Sequence, residues 1–90
     1  MTMLPAVRET VAALLSIPLS PEDDDKNLAD LASEYDSLGV LDCVGAIEQR
    51  FGVSVDLLDD DLRVTFRSVA SIAGLVERKL QDAAILGAEL

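Results

Sequence analysis

Apolar residues recur at helical spacing near the start of the chain. Val7, Val11 and Leu14 follow one another at intervals of three or four residues, so they lie on one face of a helix. Pro5 is tolerated in a first helical turn, where its missing N–H is not needed. The pattern predicts a first helix over about 5–16.

A second apolar stripe runs through the middle of the chain, at Val40, Val44 and Ile47. It predicts a helix over about 37–51, and Gly52 supplies the C-terminal stop. Leu38, Asp42, Gly45 and Gln49 trace a different face of this helix.

A third stripe, which includes Val69 and Ile72, predicts a helix over about 68–81 with Ser68 as its N-cap. The tail, 82–90, either extends this helix or frays.

The segments between these helices are more polar. Leu28 and Leu31 are expected to anchor the long acidic connection after the first helix to the core. After the second helix, one short helix is expected over 57–62. The sequence therefore predicts a single all-α domain over 1–90, a small bundle of three main helices plus one short helix.

The composition supports a helical protein, and the net charge indicates which class of partner it binds. Half of the 90 residues are hydrophobic but only three are aromatic, so we expect a core made mainly of aliphatic side chains. Phe51 and Phe66 are expected to be buried in this core. The formal net charge is −10, and the acids crowd between 22 and 61, where only Lys26 and Arg50 oppose them. This charge repels nucleic acid and anionic membranes and favours a protein partner with basic patches.

Several kinds of chemistry are missing. The chain has no histidine, which removes the usual imidazole base, serine–histidine pairs and most zinc sites. The single cysteine, Cys43, lies in an apolar stripe and is expected to be a packed, unreactive thiol. The N-terminus lacks a signal-peptide pattern, and no apolar run is long enough to span a bilayer. We expect a soluble, cytoplasmic, monomeric protein that is not an enzyme.

One acidic segment matches part of a calcium-binding pattern. The first, third, fifth and twelfth positions of an EF-hand loop would be held by Asp23, Asp25, Asn27 and Glu34. The sixth position needs glycine for a sharp turn but holds Leu28. A solvated acidic loop is therefore the preferred interpretation, and no metal site is predicted.

Asp36 and Ser37 stand at the predicted start of the second helix. Either side chain can accept a hydrogen bond from a free amide of the first turn, so a helix cap is the plain interpretation of this pair. Nothing in the sequence is placed to activate Ser37 as a nucleophile.

The segment DSLGVLDCVGAIEQRFGVSV resembles, without a gap, the second-helix signature of the acyl carrier protein family. The shared features are the Asp-Ser-Leu triplet, the apolar residues Leu41, Val44 and Ile47, an acid at Glu48, and a Phe-Gly-Val run from Phe51. The resemblance continues through NLADLASEY upstream and TFRSVASIAGLV downstream.

The resemblance implies a role for the serine. In this family the matching residue, here Ser37, receives 4′-phosphopantetheine from coenzyme A through a phosphopantetheinyl transferase, and the thiol of the arm holds cargo as a thioester. Asp36 would then contact the transferase and its coenzyme A. The phosphodiester would lie at the positive end of a helix dipole, and this position stabilises an exposed negative charge by about 0.3–1 kcal/mol.

The resemblance also implies a docking face for partner enzymes on the outward side of the second helix, at Leu38, Leu41, Asp42, Gly45, Glu48 and Gln49. Acidic and small residues beside an exposed leucine suit transient docking on basic patches. Without the resemblance, a solvated helix face is the simpler interpretation of Asp42 and Glu48. The implied partners are the transferase, a loading enzyme (an adenylating enzyme or acyltransferase), and downstream synthase or tailoring enzymes.

Some residues depart from the family pattern. Glu34 stands where the family often has glycine, and Gly39 and Gly45 each weaken a helix by about 0.5–1 kcal/mol relative to alanine. Gly45 also replaces a common bulky contact, and Gln49 and Arg50 replace acids.

The stretch from Asp56 to Phe66 is also longer than in carriers of fatty-acid synthesis. With these departures the chain resembles discrete carriers of polyketide or nonribosomal peptide pathways, such as those of antibiotic biosynthesis, or D-alanyl carriers. The favoured hypothesis is an acyl carrier protein of a dedicated secondary-metabolite pathway. The alternatives are a D-alanyl or other aminoacyl carrier, and an unmodified helical adaptor that binds a basic protein partner.

Overall fold

The computed structural model describes residues 3–56 and 61–88, and it describes the side chains of the last helix as far as residue 81. Within these residues the chain is helical and contains no strand. Three long helices and two single-turn helices occur in the order α1 (Leu4–Leu15), α2 (Leu28–Leu31), α3 (Ser37–Phe51), α4 (Leu62–Thr65) and α5 (Val69–Ala88). A 3-10 turn at Pro21–Asp23 lies between α1 and α2. The predicted all-α bundle is confirmed.

An aliphatic core lies between the three long helices. Helix α1 packs against both α3 and α5. The predicted apolar stripes supply buried side chains from each of these helices, namely Val7 and Val11, Val44 and Ile47, and Val69, Ile72 and Val76. Burying one side chain of this size contributes about 1.5–3 kcal/mol relative to leaving it exposed, so the stripes determine which helix faces meet.

Two helix ends form as the sequence predicts. Gly52 ends α3 with a φ of 66°, and its N–H donates to the Glu48 carbonyl oxygen at 2.9 Å. At the start of α5, the Ser71 N–H donates to Ser68 Oγ at 3.1 Å, and the Ser68 N–H donates to Ser71 Oγ at 3.0 Å. The stop at Gly52 and the cap at Ser68 are confirmed.

The long connection between α1 and α3 is held by an ion pair that the sequence analysis missed. The Asp24 carboxylate accepts two hydrogen bonds from the Arg8 guanidinium, at 2.8 and 2.7 Å, and its side chain is only 8% exposed. These hydrogen bonds raise the pKa of Arg8. The Asp24 carbonyl also accepts from the Ala70 N–H at 2.9 Å, and the Leu28 N–H donates to the Arg67 carbonyl at 2.9 Å. The connection is thereby joined to α1, to α5 and to the turn before α5.

Apolar side chains also anchor this connection. Leu28 is fully buried, and Leu31 packs against the core while remaining partly exposed, so the predicted anchors are confirmed. Ala32 and Tyr35, closer to α3, are buried as well.

The short helix after α3 lies later than predicted. It spans Leu62–Thr65 rather than 57–62, because the Asp61 carboxylate accepts the Arg63 N–H at 3.1 Å and so caps the helix instead of lying inside it. Positions 57–60 of the predicted range lie outside the described residues.

Helix α5 continues to Ala88, beyond the predicted end at residue 81. The added segment, 82–88, contains no proline, and its alanine and leucine residues favour a helix. No helix in the described part of the chain is both long and apolar enough to cross a membrane.

The two phenylalanines differ in burial. Phe66 is 1% exposed, as predicted. Phe51, at the last position of α3, is only partly buried, and the Arg50 guanidinium lies 5.9 Å from its ring centre. The prediction that Phe51 is buried was therefore wrong in degree, because the last turn of a helix lies at the edge of the core.

This difference predicts unequal effects of truncation. We expect Phe66→Ala to lower the free energy of unfolding by about 3–5 kcal/mol, since it leaves a cavity in the core. Phe51→Ala is expected to cost clearly less, because part of its ring already contacts water. Chemical denaturation of both variants measures the difference, and equal midpoint changes would contradict the burial described here.

Candidate functional site

Ser37 is the first residue of α3, and it is exposed. The residue before it, Asp36, is the N-cap, and its Oδ1 accepts the Gly39 N–H at 3.0 Å. Asp36 rather than Ser37 therefore caps the helix. Within the described part of the chain the Ser37 hydroxyl makes no hydrogen bond, so it is available to a reaction partner.

A close backbone contact determines where this serine stands. A Cβ atom added to Gly39 would lie 2.2 Å from the Glu34 carbonyl oxygen, a distance that no real side chain adopts. Only glycine allows the chain before Asp36 to pass this close to the first turn of α3. The sequence analysis treated Gly39 only as a weakness of the helix, and the signal for its role was its place two residues after Ser37.

Glu34 occupies the other side of this contact, at the position where the family often has glycine. Its contribution to the contact is its backbone, while the residue as a whole is exposed. By contrast, nothing lies within 4 Å of a Cβ added to Gly45, which sits exposed on the same helix.

Two buried side chains with titratable groups, Tyr35 and Cys43, lie on either side of Ser37 in the sequence. The Tyr35 hydroxyl donates to the Phe66 carbonyl oxygen, which joins the residues before α3 to the end of α4. Burial raises the pKa of Tyr35 well above its usual range, and it raises the pKa of Cys43 to about 11. Cys43 is 1% exposed and therefore has the packed, unreactive environment that the sequence predicts.

An open groove of about 300 Å³ lies beside the serine. Its lining residues are Ser37, Val40, Leu41, Leu62 and Arg63. Apart from Ser37 and Arg63 these residues are apolar, and the size is at the lower end of that of small-molecule sites. The groove offers apolar contact to any group that is attached to Ser37.

Large apolar side chains are also exposed around this groove. Leu38 is 72% exposed, Leu41 48% and Val64 61%. Exposed apolar groups that lie near one another on a small protein are typical of a contact surface.

The residues predicted for partner docking are not equivalent. Leu38, Leu41, Asp42, Gly45 and Gln49 are exposed along one side of α3. Glu48 is half-buried instead, and its Oε2 accepts the Val55 N–H at 2.9 Å. Glu48 therefore has a structural task, because it holds the chain that follows α3.

The partial calcium pattern does not form a cluster. Asp23 accepts hydrogen bonds from Ser20 and Lys26, and Asn27 accepts one from Arg67 at 2.7 Å. The Lys26 and Ser20 contacts lower the pKa of Asp23, with the backbone N–H of Ser20 contributing most. Among the described residues, no three acidic or thiol side chains are grouped so that they could hold a metal ion.

The features that the structure brings together are a small helical bundle and an exposed serine hydroxyl at the start of α3. The family model for the phosphopantetheine attachment site matches residues 5–76. The chain therefore belongs to this family of phosphopantetheine-binding carrier proteins, and the resemblance to acyl carrier proteins is confirmed. Searches of curated proteins and of solved structures found no match.

The cofactor of this family is 4′-phosphopantetheine, which is attached covalently. The described residues fit it, because the Ser37 hydroxyl is exposed and without a hydrogen-bond partner in the described chain, and an apolar groove lies beside it. The thiol of the cofactor forms thioesters with acyl groups.

The two glycines of α3 give a matched test of the close contact. Gly45→Ala is expected to raise the free energy of unfolding by about 0.5–1 kcal/mol, because its position is exposed, helical and open. Gly39→Ala is expected to lower it by about 1–3 kcal/mol, because the Glu34 backbone must move.

Chemical denaturation measures both changes, and amide NMR shifts show where the backbone moves. We expect large shifts at residues 34–37 for Gly39→Ala and none there for Gly45→Ala. An increase in stability for both variants would show that the contact does not constrain the start of α3.

Proposed function

We propose that this protein carries an acyl or aminoacyl group as a thioester on a 4′-phosphopantetheine arm attached to Ser37. The observation that supports this most directly is the free, exposed hydroxyl at the first position of α3, inside the range that the family model matches. Asp36 takes over the capping of α3, so modification of Ser37 leaves the cap intact.

In this proposal Ser37 is an acceptor and not a catalyst. Its oxygen attacks the phosphorus that bears the pantetheine group of coenzyme A, and the P–O bond of the diphosphate breaks. A phosphodiester to Ser37 forms, adenosine 3′,5′-bisphosphate leaves, and the hydroxyl proton is released. The base that takes this proton comes from the transferase, because the chain has no histidine and Asp36 already accepts the Gly39 N–H. The amides of the first turn of α3 favour the new negative charge by about 0.3–1 kcal/mol.

The apolar parts of the arm or its cargo can bind in the apolar groove beside Ser37. Val40, Leu41 and Leu62 supply its walls. Contact there shields part of the arm from water while the carrier moves between enzymes.

We propose that partner enzymes dock on the exposed side of α3, at Leu38, Leu41, Asp42, Gly45 and Gln49. The proposed partners are a phosphopantetheinyl transferase, a loading enzyme and downstream synthase or tailoring enzymes. Asp42 is exposed and accepts no hydrogen bond within the described chain, so it is available to a basic group of a partner. Charges of this kind raise the rate of association more than the affinity.

We also propose that the pathway is a dedicated one, such as polyketide or nonribosomal peptide biosynthesis, and that the carrier performs no reaction alone. Gln49 and Arg50 support this, because they make the docking side of α3 less acidic than that of carriers in fatty-acid synthesis. A D-alanyl or other aminoacyl cargo remains the alternative within the carrier class. The cytoplasmic location and the monomeric state remain predictions from the sequence.

Incubation with coenzyme A and a promiscuous phosphopantetheinyl transferase is expected to add one arm to the wild-type protein and none to Ser37→Ala. Intact-mass spectrometry measures the addition. Ser54→Ala, which changes an exposed serine beyond α3, is the matched control and should be modified like the wild type. An unchanged mass in the wild type would support the unmodified helical adaptor instead.

Asp42→Lys is expected to lower the kcat/KM of the transferase at low salt, and about 1 M salt should remove most of the difference, since the screening length falls to about 3 Å. Asp25→Lys, in the acidic connection, is the matched control, because it makes the same charge change at another exposed position. A loss in Asp25→Lys alone would place the docking surface on that connection. The stability of Asp42→Lys should stay within about 0.5 kcal/mol of the wild type.

A further inference from the structure

A second groove adjoins the one beside Ser37. Its volume is about 280 Å³, and its lining includes Asn27, Tyr35, Val40, Arg63 and Arg67. Val40 and Arg63 line both grooves, so the two depressions meet along α3 and α4. A group attached to Ser37 can therefore extend from the first groove into the second without leaving the surface.

Among the described residues, the charged side chains that line this double groove are Arg63 and Arg67, and both are cationic. The Arg63 side chain is 92% exposed, and within the described part of the chain its acidic contact is with Asp61, from Nε to Oδ1 at 3.5 Å. An exposed pair of this length contributes little, so among the described residues nothing else engages the remaining N–H groups of Arg63.

Arg67 is held in place by a neutral partner. Its Nη1 donates to Asn27 Oδ1 at 2.7 Å, which orients the guanidinium group without neutralising its charge. The Tyr35 hydroxyl is already used in its bond to the Phe66 carbonyl and does not compete. No carboxylate is among the residues of the described chain that line the second groove.

This local charge is opposite to that of the whole chain. The protein carries a formal net charge of −10 and only seven lysines and arginines, yet two of its arginines flank the path that starts at Ser37. Guanidinium groups bind carboxylates and phosphates through paired N–H donors. The ligand that matches this groove is therefore an oxyanion at the end of, or within, a partly apolar chain.

We propose that Arg63 and Arg67 bind an oxyanion borne by the arm on Ser37, a proposal that rests on the proposed function. Two groups have the required chemistry: the phosphodiester that joins the arm to Ser37, and a free carboxylate on the cargo. In the second case the groove selects acyl units that end in a carboxylate over neutral units of the same length.

Four forms of the protein distinguish these sources. They are the unmodified chain, the chain with an unloaded arm, and chains with butyryl or succinyl arms. A promiscuous transferase makes the last three from coenzyme A, butyryl-coenzyme A and succinyl-coenzyme A, so no cognate loading enzyme is needed. Butyryl and succinyl groups have equal carbon number and differ in a terminal methyl or carboxylate. Intact mass establishes that the last three forms are modified and that the first is not.

The readout is the NMR shift of the Arg63 and Arg67 Nε–H groups at low salt and at about 1 M salt, where exposed charges are screened. We expect these signals to move on modification at low salt and to return toward the unmodified positions at high salt. Movement already with the unloaded arm identifies the phosphodiester as the ligand. Movement only with the succinyl arm identifies the cargo carboxylate. The Arg50 Nε–H, at the far end of α3, should not move.

Variants add a second readout. Arg63→Gln and Arg67→Gln are expected to reduce the change that modification causes at the Val40 amide, whereas Arg63→Lys should keep part of it and Arg50→Gln all of it. Modified protein whose Arg63 and Arg67 signals match those of the unmodified chain would overturn the oxyanion site and leave the carrier function standing. A wild-type chain that takes no arm would overturn both.

Discussion

The bidentate ion pair between Arg8 and Asp24 holds the stretch of chain that leads from α1 to the serine. This stretch has little regular structure of its own, so tertiary contacts must fix its path. The Asp24 side chain binds α1 while its backbone carbonyl accepts from Ala70 of α5, so one residue connects two of the three long helices. Because the Asp24 carboxylate is buried, removing Arg8 would leave that charge without its partner, and the path of the connection between α1 and α3 would lose one of its main contacts.

The presentation of Ser37 follows from three contacts with separate tasks. The Asp36 carboxylate accepts the Gly39 N–H in the first turn of α3. Gly39 has no side chain, so the Glu34 backbone can pass close to it. The Tyr35 hydroxyl donates to the Phe66 carbonyl oxygen and joins the start of α3 to the end of α4. Together these contacts order the backbone on both sides of Ser37 while its own side chain stays free. A rigid corner with one free hydroxyl can be recognised by an enzyme without any rearrangement, which lowers the cost of each encounter.

The helices were predictable because their apolar stripes follow a simple period, and the place of Ser37 at the start of α3 was predictable because the apolar stripe that follows it begins there. The Arg8–Asp24 ion pair was not predictable. Asp24 is one of three adjacent aspartates, which the sequence indicates as solvated, and only the fold shows that Arg8 lies next to it. Gly39 was misjudged for a similar reason: the sequence shows a glycine near the start of the helix, but the backbone atom that approaches it, the Glu34 carbonyl oxygen, is evident only in the fold. The shift of the short helix to Leu62–Thr65 depended on which of several aspartates caps it, and neighbouring aspartates have equal propensity for that position.

The burial of Cys43 has a consequence for a protein that holds its cargo by sulfur. Thioesters pass readily from one thiolate to another, so an accessible cysteine on the carrier would compete with the arm for its own acyl group. The chain has one cysteine, it is 1% exposed, and its pKa is raised to about 11, so almost none of it is ionised near neutral pH. If the arm is attached to Ser37 as proposed, its terminal thiol does not have to compete with an accessible cysteine of the chain, and exchange of the cargo onto Cys43 is disfavoured.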